Sequence, residues 1–133
     1  TGVQTCALPI FGIDLVEIAR LERMLGSKGT HAFRRLFTDA EVAYATGRAR
    51  PAMHLAARVA AKEAAFKALA GTDAARAIGW REVEVRSTPG EPPTLSFHGR
   101  AAARASELGV IQVHVSLTHT DVTAGAVVVL EAR

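Results

Sequence analysis

A short segment near the middle of the chain combines cationic and acidic side chains at helical spacing. Arg58, Lys62, Glu63 and Lys67 lie in an alanine-rich run that favours a helix. Glu63 and Lys67 share one face because they are four residues apart, and Arg58 and Lys62 share another. Only 3 of the 16 basic residues are lysines, and a lysine ammonium suits phosphate contact or proton handling. Two ordinary surface ion pairs are the alternative interpretation.

Asp14 is the second acidic residue with a possible chemical role. It follows Gly12-Ile13, where a short buried strand is predicted to give way to a helix. Asp14 could cap that helix, since Asp is a favoured N-cap residue, or it could bind a hard metal ion. Mg²⁺ usually takes one or two protein carboxylates and then substrate phosphates and water, so Asp14 and Glu63 would form a suitable pair. Spacing in the sequence does not establish that they meet.

A polar row is predicted along a strand near the C-terminal end. Residues 113–120 alternate, so that His114, Ser116, Thr118 and Thr120 face one way and Val113, Val115, Leu117 and His119 the other. The hydroxyls and imidazole could bind oxygen-rich ligands, or they could form the solvated face of a hairpin. Ser116 and His119 are not a convincing hydrolase pair, because no nucleophile elbow surrounds the serine.

Composition narrows the class of protein. With 133 residues, 49% hydrophobic and only 5% aromatic, the chain predicts one domain with an aliphatic, alanine-filled core. The net charge of +3 favours an acidic or phosphorylated partner, and Arg20 and Arg23 on the first predicted helix could dock one. No apolar run approaches the roughly 20 residues that span a bilayer. The single cysteine, Cys6, excludes a disulfide framework and predicts a cytoplasmic setting.

The first ten residues do not resemble the start of a domain. Residues 1–10 can be back-translated, codon for codon, into a widely used sequencing-adapter oligonucleotide. We therefore expect residues 1–10 to be a read artefact and residues 11–133 to form the single domain.

The periodicity predicts an α+β fold, with a small, mostly antiparallel sheet packed against a long central helix and shorter helices. A capping box of Thr38 and Glu41 starts one helix, and the long helix runs over about 52–70. Strands are expected over 83–86, 94–97, 112–120 and 123–131, the last two joined as a hairpin.

Taken in their order along the chain, several segments resemble the holo-acyl-carrier-protein synthase family, the short bacterial 4'-phosphopantetheinyl transferases. The matching segments are Gly12-Ile-Asp14-Leu-Val-Glu17-Ile18, Phe37-Thr38-x-x-Glu41, Arg58-Val-Ala-Ala-Lys62-Glu63-Ala-Ala-Phe66-Lys67-Ala-Leu69, Gly90-x-Pro92 and His114-Val-Ser116-Leu-Thr118-His119-Thr120. The resemblance covers Phe11 to Glu131. It implies the 4'-phosphopantetheinyl transferase-like fold and Mg²⁺-dependent transfer of phosphopantetheine from coenzyme A to a serine of apo acyl carrier protein, releasing adenosine 3',5'-bisphosphate for fatty acid biosynthesis.

The resemblance also assigns residues. It places Asp14 and Glu63 on the Mg²⁺ ligands and Lys67 on the lysine that contacts the reacting phosphate or relays its proton. Arg58, Lys62, His119 and Thr120 fall in regions that face coenzyme A, and Arg20 falls on the arginine that meets the acidic carrier protein. The resemblance leaves open which group accepts the serine proton: a metal-bound water, Glu63 or Lys67. The family also implies a homotrimer with active sites between protomers.

One departure and two rival interpretations remain. The family's Gly-Thr-Gly after the long helix is Gly71-Thr72-Asp73 here, which puts the nucleotide contact of that loop in question. A basic nucleic-acid-binding module would explain the arginines, but an interleaved aromatic surface and a zinc or helix-turn-helix signature are missing. An inactive member that only binds the carrier is disfavoured by retention of Asp14, Glu63 and Lys67. We therefore expect neither nucleic acid nor a membrane as partner.

Overall fold

Five strands and five α-helices follow one another in the computed structural model, which describes residues 8–26 and 30–133. The strands are β1 (Leu8–Glu17), β2 (Val83–Arg86), β3 (Thr94–Phe97), β4 (Val110–His119) and β5 (Thr123–Ala132). The helices are α1 (Ile18–Gly26), α2 (Thr30–Leu36), α3 (Asp39–Thr46), α4 (Pro51–Leu69) and α5 (Gly99–Glu107). The α+β class predicted from the sequence is confirmed, although the strands form two sheets instead of one.

Local signals placed most of the element ends correctly. Thr38 and Glu41 form the predicted capping box at the start of α3. The long helix begins one residue earlier than expected, at Pro51, because proline has no N–H to lose in a first helical turn. The predicted hairpin joins β4 to β5 across Asp121 and Val122.

The larger sheet provides the surface on which α4 lies. Its antiparallel order is β1-β5-β4, while β2 and β3 pair separately. Helix α4 packs against β1 and β5, and Gly12 permits a close approach, because a Cβ atom there would collide with the carbonyl oxygen of Ala64. The strand therefore lies near enough to α4 for side chains on both to meet.

The expectation of a short buried strand at the start of the domain was wrong for one face. β1 has ten residues, and only its inner face is covered by the helix. On the outer face Phe11, Ile13 and Leu15 are 64–69% exposed. One uncovered side is common in antiparallel sheets, but it usually carries polar residues.

The expected adapter segment lies largely outside the described residues, which begin at Leu8. Within it, Leu8, Pro9 and Ile10 continue β1 and pair with Ala132, Glu131 and Leu130 of β5; the origin of the segment stays a prediction. In the described part of the chain, no helix combines the length and apolar character needed to cross a bilayer.

Candidate active site

Two carboxyl groups meet where β1 packs on α4. Glu63 lies half-buried on the helix, and burial together with a hydrogen bond to the Asp14 carboxyl raises the pKa of Glu63 to about 7. Burial also acts to raise the pKa of Asp14, but hydrogen bonds with Glu63 and Lys67 outweigh it and hold that pKa below its ordinary value. The pairing that sequence spacing could not establish is therefore present in the fold.

Lys67 lies beside the two carboxyl groups. Asp14, Glu63 and Lys67 are together called the carboxylate cluster here. Its Nζ atom lies 2.8 Å from Oδ1 of Asp14 and donates a second hydrogen bond of 2.9 Å to the carbonyl oxygen of Ile13. The Lys67 side chain is 57% exposed whereas that of Asp14 is 14% exposed. The ammonium is thus anchored at the carboxylate while still open to solvent and to a ligand.

The second oxygen of Asp14 has no such support. Oδ2 is buried and has no hydrogen-bond partner when both carboxyls are ionised, since two carboxylates can only accept. A proton on Glu63 or a cation between the two groups would satisfy it. Within residues 8–26 and 30–133 no set of three or more His, Cys, Asp or Glu side chains could hold a metal. Two carboxylates still fit Mg²⁺, which binds through one or two of them.

Arg20 faces the same cluster from α1. Its guanidinium lies 3.6 Å from Oε1 of Glu63, and the two side chains are 47% and 26% exposed. α1 follows β1 without a loop, and the backbone N–H of Ile18 donates to the carbonyl oxygen of Val122, which fixes where the helix starts. The predicted docking residue is therefore a neighbour of the predicted metal ligands.

A second group of predicted residues lines a separate cavity of about 510 Å³, here called the basic cavity. Its polar lining includes Tyr44, Arg48, His54, Arg58, Ser87, Glu91, Ser116, Thr118 and His119. Arg58 is buried, and donates to Oγ of Ser87 at 2.6 Å and to the carbonyl oxygen of His54 at 3.1 Å. Burial and the nearby Arg58 lower the pKa of His54, so that its neutral form is favoured.

Two residues expected to face the nucleotide have other roles. Lys62 is 0% exposed, and its ammonium donates to the carbonyl oxygens of Trp80 and Val83 and pairs with Glu41 at 2.8 Å. Burial lowers the pKa of Lys62 although Glu41 opposes that effect. All three N–H bonds are thus used inside the core, and the prediction for Lys62 was wrong.

Thr120 likewise lies outside the basic cavity. Its hydroxyl oxygen accepts hydrogen bonds from the backbone N–H groups of Val122 and Thr123, at 3.2 and 3.0 Å. The side chain thus stabilises the hairpin turn, which begins where the strand ends at His119.

The carboxylate cluster and the basic cavity lie on different sides of α4. Arg58 and Glu63 are five residues apart, which turns their side chains about 140° from one another around the helix. In the sheet, Asp14 belongs to the outer strand β1 and His119 to the opposite outer strand β4. Among the residues that the structure describes, no hydrogen bond or ion pair joins the two groups. One chain therefore presents the carboxylate cluster and the basic cavity as two separate places.

Sequence reasoning also missed a cavity at the C-terminal end of α4. It measures about 890 Å³ and is lined by Phe66, Ala70, Gly71, Thr72, Asp73, Ala75, Arg76, Ile78 and Trp80. The Gly71-Thr72-Asp73 departure lies on its wall, and Lys67 follows directly after Phe66 in the helix. Trp80 packs edge to face on Phe66 with the ring centroids 5.0 Å apart.

Comparisons with known proteins agree with this architecture. A family model described as the 4'-phosphopantetheinyl transferase superfamily matches residues 10–127. The chain is 49% identical over 122 residues to a holo-[acyl-carrier-protein] synthase of Thermus thermophilus, covering 92% of each chain.

Two solved structures share the fold. An ACPS–CoA complex from Chronobacterium ammoniagenes is 28% identical with a TM-score of 0.81, covering 95% of this chain and 98% of the other. A Bacillus anthracis holo-(acyl-carrier-protein) synthase in complex with CoA (3',5'-ADP) is 31% identical with a TM-score of 0.71, covering 97% and 100%. The chain therefore belongs to the holo-[acyl-carrier-protein] synthase family of the 4'-phosphopantetheinyl transferase superfamily.

Proposed function

We propose that this chain transfers 4'-phosphopantetheine from coenzyme A to a serine of an apo acyl carrier protein, in a Mg²⁺-dependent reaction that releases adenosine 3',5'-bisphosphate. The observation that carries the proposal is the meeting of Asp14, Glu63 and Lys67 at the contact of β1 with α4. Relatives named as synthases of this type, and solved as complexes with CoA, support the substrates. A cytoplasmic location stays a prediction.

The reaction breaks the phosphoanhydride of coenzyme A and forms a phosphodiester on the serine. The serine hydroxyl gives up its proton to a base at the site, for which water, Glu63 and Lys67 are the candidates, and its oxygen bonds to the phosphorus that carries pantetheine. The bridging P–O bond breaks, and its electron pair leaves on the 5'-phosphate of adenosine 3',5'-bisphosphate. Mg²⁺ held by Asp14 and Glu63 would neutralise charge on the pyrophosphate oxygens. Lys67, one turn beyond Glu63 and anchored on Asp14, would place an ammonium on an oxygen of the same phosphate.

The separation of the carboxylate cluster from the basic cavity supports an assembly in which each of them is one half-site and a second copy completes the active site. The face of the sheet with Phe11, Ile13 and Leu15 is apolar and exposed, and Val127 and Val129 lie beside them in register. Such a patch marks an interface in many proteins. We propose a homotrimer in which the carboxylate cluster of one copy faces the basic cavity of the next.

Complementation tests the shared site directly. Chains with Glu63→Gln should be inactive alone, and chains with Arg58→Gln should have little activity at a coenzyme A concentration below the wild-type KM, because each variant damages one half-site. Mixed trimers contain some interfaces whose two halves are intact, so unfolding and co-refolding the variants should restore part of the activity. No recovery from mixtures that form trimers by light scattering would contradict the shared site, and Ile13→Asp should yield monomers.

The carrier protein is proposed to dock at Arg20 on α1. Acyl carrier proteins of this family are acidic, and an arginine at the rim of a site chiefly sets the rate and orientation of encounter. Arg20→Glu should therefore raise KM for the carrier more than KM for coenzyme A, which serves as the internal control. Equal effects on both would contradict docking at this residue.

Incubation of the chain with coenzyme A, Mg²⁺ and an apo carrier protein tests the main proposal. Wild type should increase the mass of the carrier by one phosphopantetheine group. Glu63→Gln and Asp14→Asn should abolish this increase while thermal unfolding stays cooperative. Near-normal turnover of either variant at saturating Mg²⁺ would contradict the metal assignment.

A further inference from the structure

One aromatic ring at the rim of the basic cavity lies against two guanidinium groups. The Cζ atoms of Arg48 and Arg58 are each 4.3 Å from the centroid of the Tyr44 ring. The ring of His54 meets Tyr44 edge to face, with the centroids 5.7 Å apart. All four side chains line the same cavity, so Tyr44 lies at the centre of its cationic wall.

The two arginines depend on this ring to different degrees. Arg58 is 2% exposed and is also held by hydrogen bonds to Ser87 and to the carbonyl oxygen of His54. Its Nε atom is buried without a partner. Arg48 is exposed in the break after α3, and its guanidinium lies against the face of the Tyr44 ring.

Holding two like charges beside one another requires a compensating attraction. The negative face of an aromatic ring supplies it, because a guanidinium within about 6 Å of the centroid is attracted by the ring quadrupole. A ligand that carries a compact double negative charge would supply the rest. The cavity lining contains a single acidic residue, Glu91, so its charge suits a phosphomonoester.

We propose that Tyr44 is a positioning residue, which holds Arg48 and Arg58 together for a terminal phosphomonoester and so determines the preference for coenzyme A over its 3'-dephospho form. The inference rests on the proposed function, since it concerns the donor of that reaction. It assigns to Tyr44 an effect on donor recognition and none on the transfer step, because the ring contacts Arg48, Arg58 and His54 and so acts through the groups that bind the donor.

A structural role would produce a different result. If Tyr44 merely filled space against α4, its loss would loosen the whole cavity and weaken both donors alike. If its hydroxyl were the important group, removing that oxygen alone would be as harmful as removing the ring. Tyr44→Leu and Tyr44→Phe separate these cases, because the first removes the ring and the second keeps it.

The experiment measures KM and kcat for coenzyme A and for 3'-dephospho-coenzyme A at a saturating carrier concentration. Tyr44→Leu should raise KM for coenzyme A roughly tenfold, as expected for the loss of two cation–π contacts. Its kcat and its KM for the dephospho donor should change less than about twofold, which also shows that the variant is folded. Tyr44→Phe should keep the wild-type preference for coenzyme A over the dephospho donor.

Arg48→Gln provides a second test that does not depend on packing, because the side chain is exposed. It should reproduce the selective loss for coenzyme A. The inference is overturned if Tyr44→Leu raises both KM values equally or changes neither, or if Tyr44→Phe behaves like Tyr44→Leu. A wild type that transfers from neither donor overturns the proposed function and this inference together, whereas active but unselective variants overturn the inference alone.

Discussion

Replacing Glu63 by glutamine should make the protein more stable at alkaline pH while abolishing its activity. The Glu63 carboxyl has a pKa of about 7 in the folded chain, against 4.5 as an ordinary value, because burial and the adjacent Asp14 disfavour its charge. A glutamine amide keeps the shape of the protonated acid and can donate a hydrogen bond to Oδ2 of Asp14, which otherwise lies buried without a partner.

The sign follows from the raised pKa. The folded state binds a proton more tightly than the unfolded state, so this group's contribution to stability is complete below pH 4.5 and is lost as pH rises through 7. A rise of this size is worth at most about 3 kcal/mol. The Glu63 side chain is 26% exposed, and Arg20 and Lys67 offset part of the repulsion between the carboxylates. We therefore expect the effect on the free energy of unfolding to be about 1–2 kcal/mol.

The assay is urea unfolding at several pH values between 5 and 8, with EDTA present to remove divalent cations. Glu63→Gln and wild type should have similar free energies of unfolding at pH 5, and the variant should gain about 1–2 kcal/mol by pH 8. Glu22→Gln on the exposed side of α1 removes the same charge away from the pair and is the control. A Glu63→Gln difference that is constant with pH, or that favours wild type at pH 8, would refute the reasoning.

Three further variants test how the site is supported. Gly12→Ala should lower the free energy of unfolding by about 1–3 kcal/mol, because the added Cβ would push β1 away from the Ala64 carbonyl. Urea unfolding measures this loss, and a variant with full activity would contradict the close approach of β1 to α4. Lys62→Met should cost about 3–5 kcal/mol, because Glu41 would stay buried without its cation; a neutral result would show that Glu41 is reached by water. Thr38→Val should cost about 1 kcal/mol by removing the hydroxyl that accepts from the N–H of Glu41, and an unchanged thermal midpoint would show the cap to be dispensable.

Local patterns in the sequence predicted most of the elements. The alanine-rich run around Glu63, the Thr38 capping box and the alternation along β4 and β5 depend on residues close to one another in the chain. The helices and strands that these patterns favour depend little on the rest of the fold. For the same reason the ordered motifs indicated the family, since each motif is itself a local pattern.

The burial of Lys62 and the exposure of β1 could not be predicted in this way. Helical spacing placed Lys62 beside Arg58, but it does not show which neighbouring element covers that strip. The carbonyl oxygens of Trp80 and Val83, together with Glu41, enclose Lys62, and they come from segments distant in sequence. The apolar pattern of β1 similarly indicated a buried strand, although in this chain only α4 covers it.

The sequence by itself determined the elements, the family and the residue types available for chemistry, because periodicity and motifs are properties of neighbouring residues. Tertiary structure decided which of them meet. Asp14 lies beside Glu63 only because β1 packs against α4 at Gly12. Arg58 and His119 lie at a separate cavity because five residues of helix turn side chains to another side and a whole strand separates β4 from β1. Such relations depend on how distant segments pack, which no local pattern specifies.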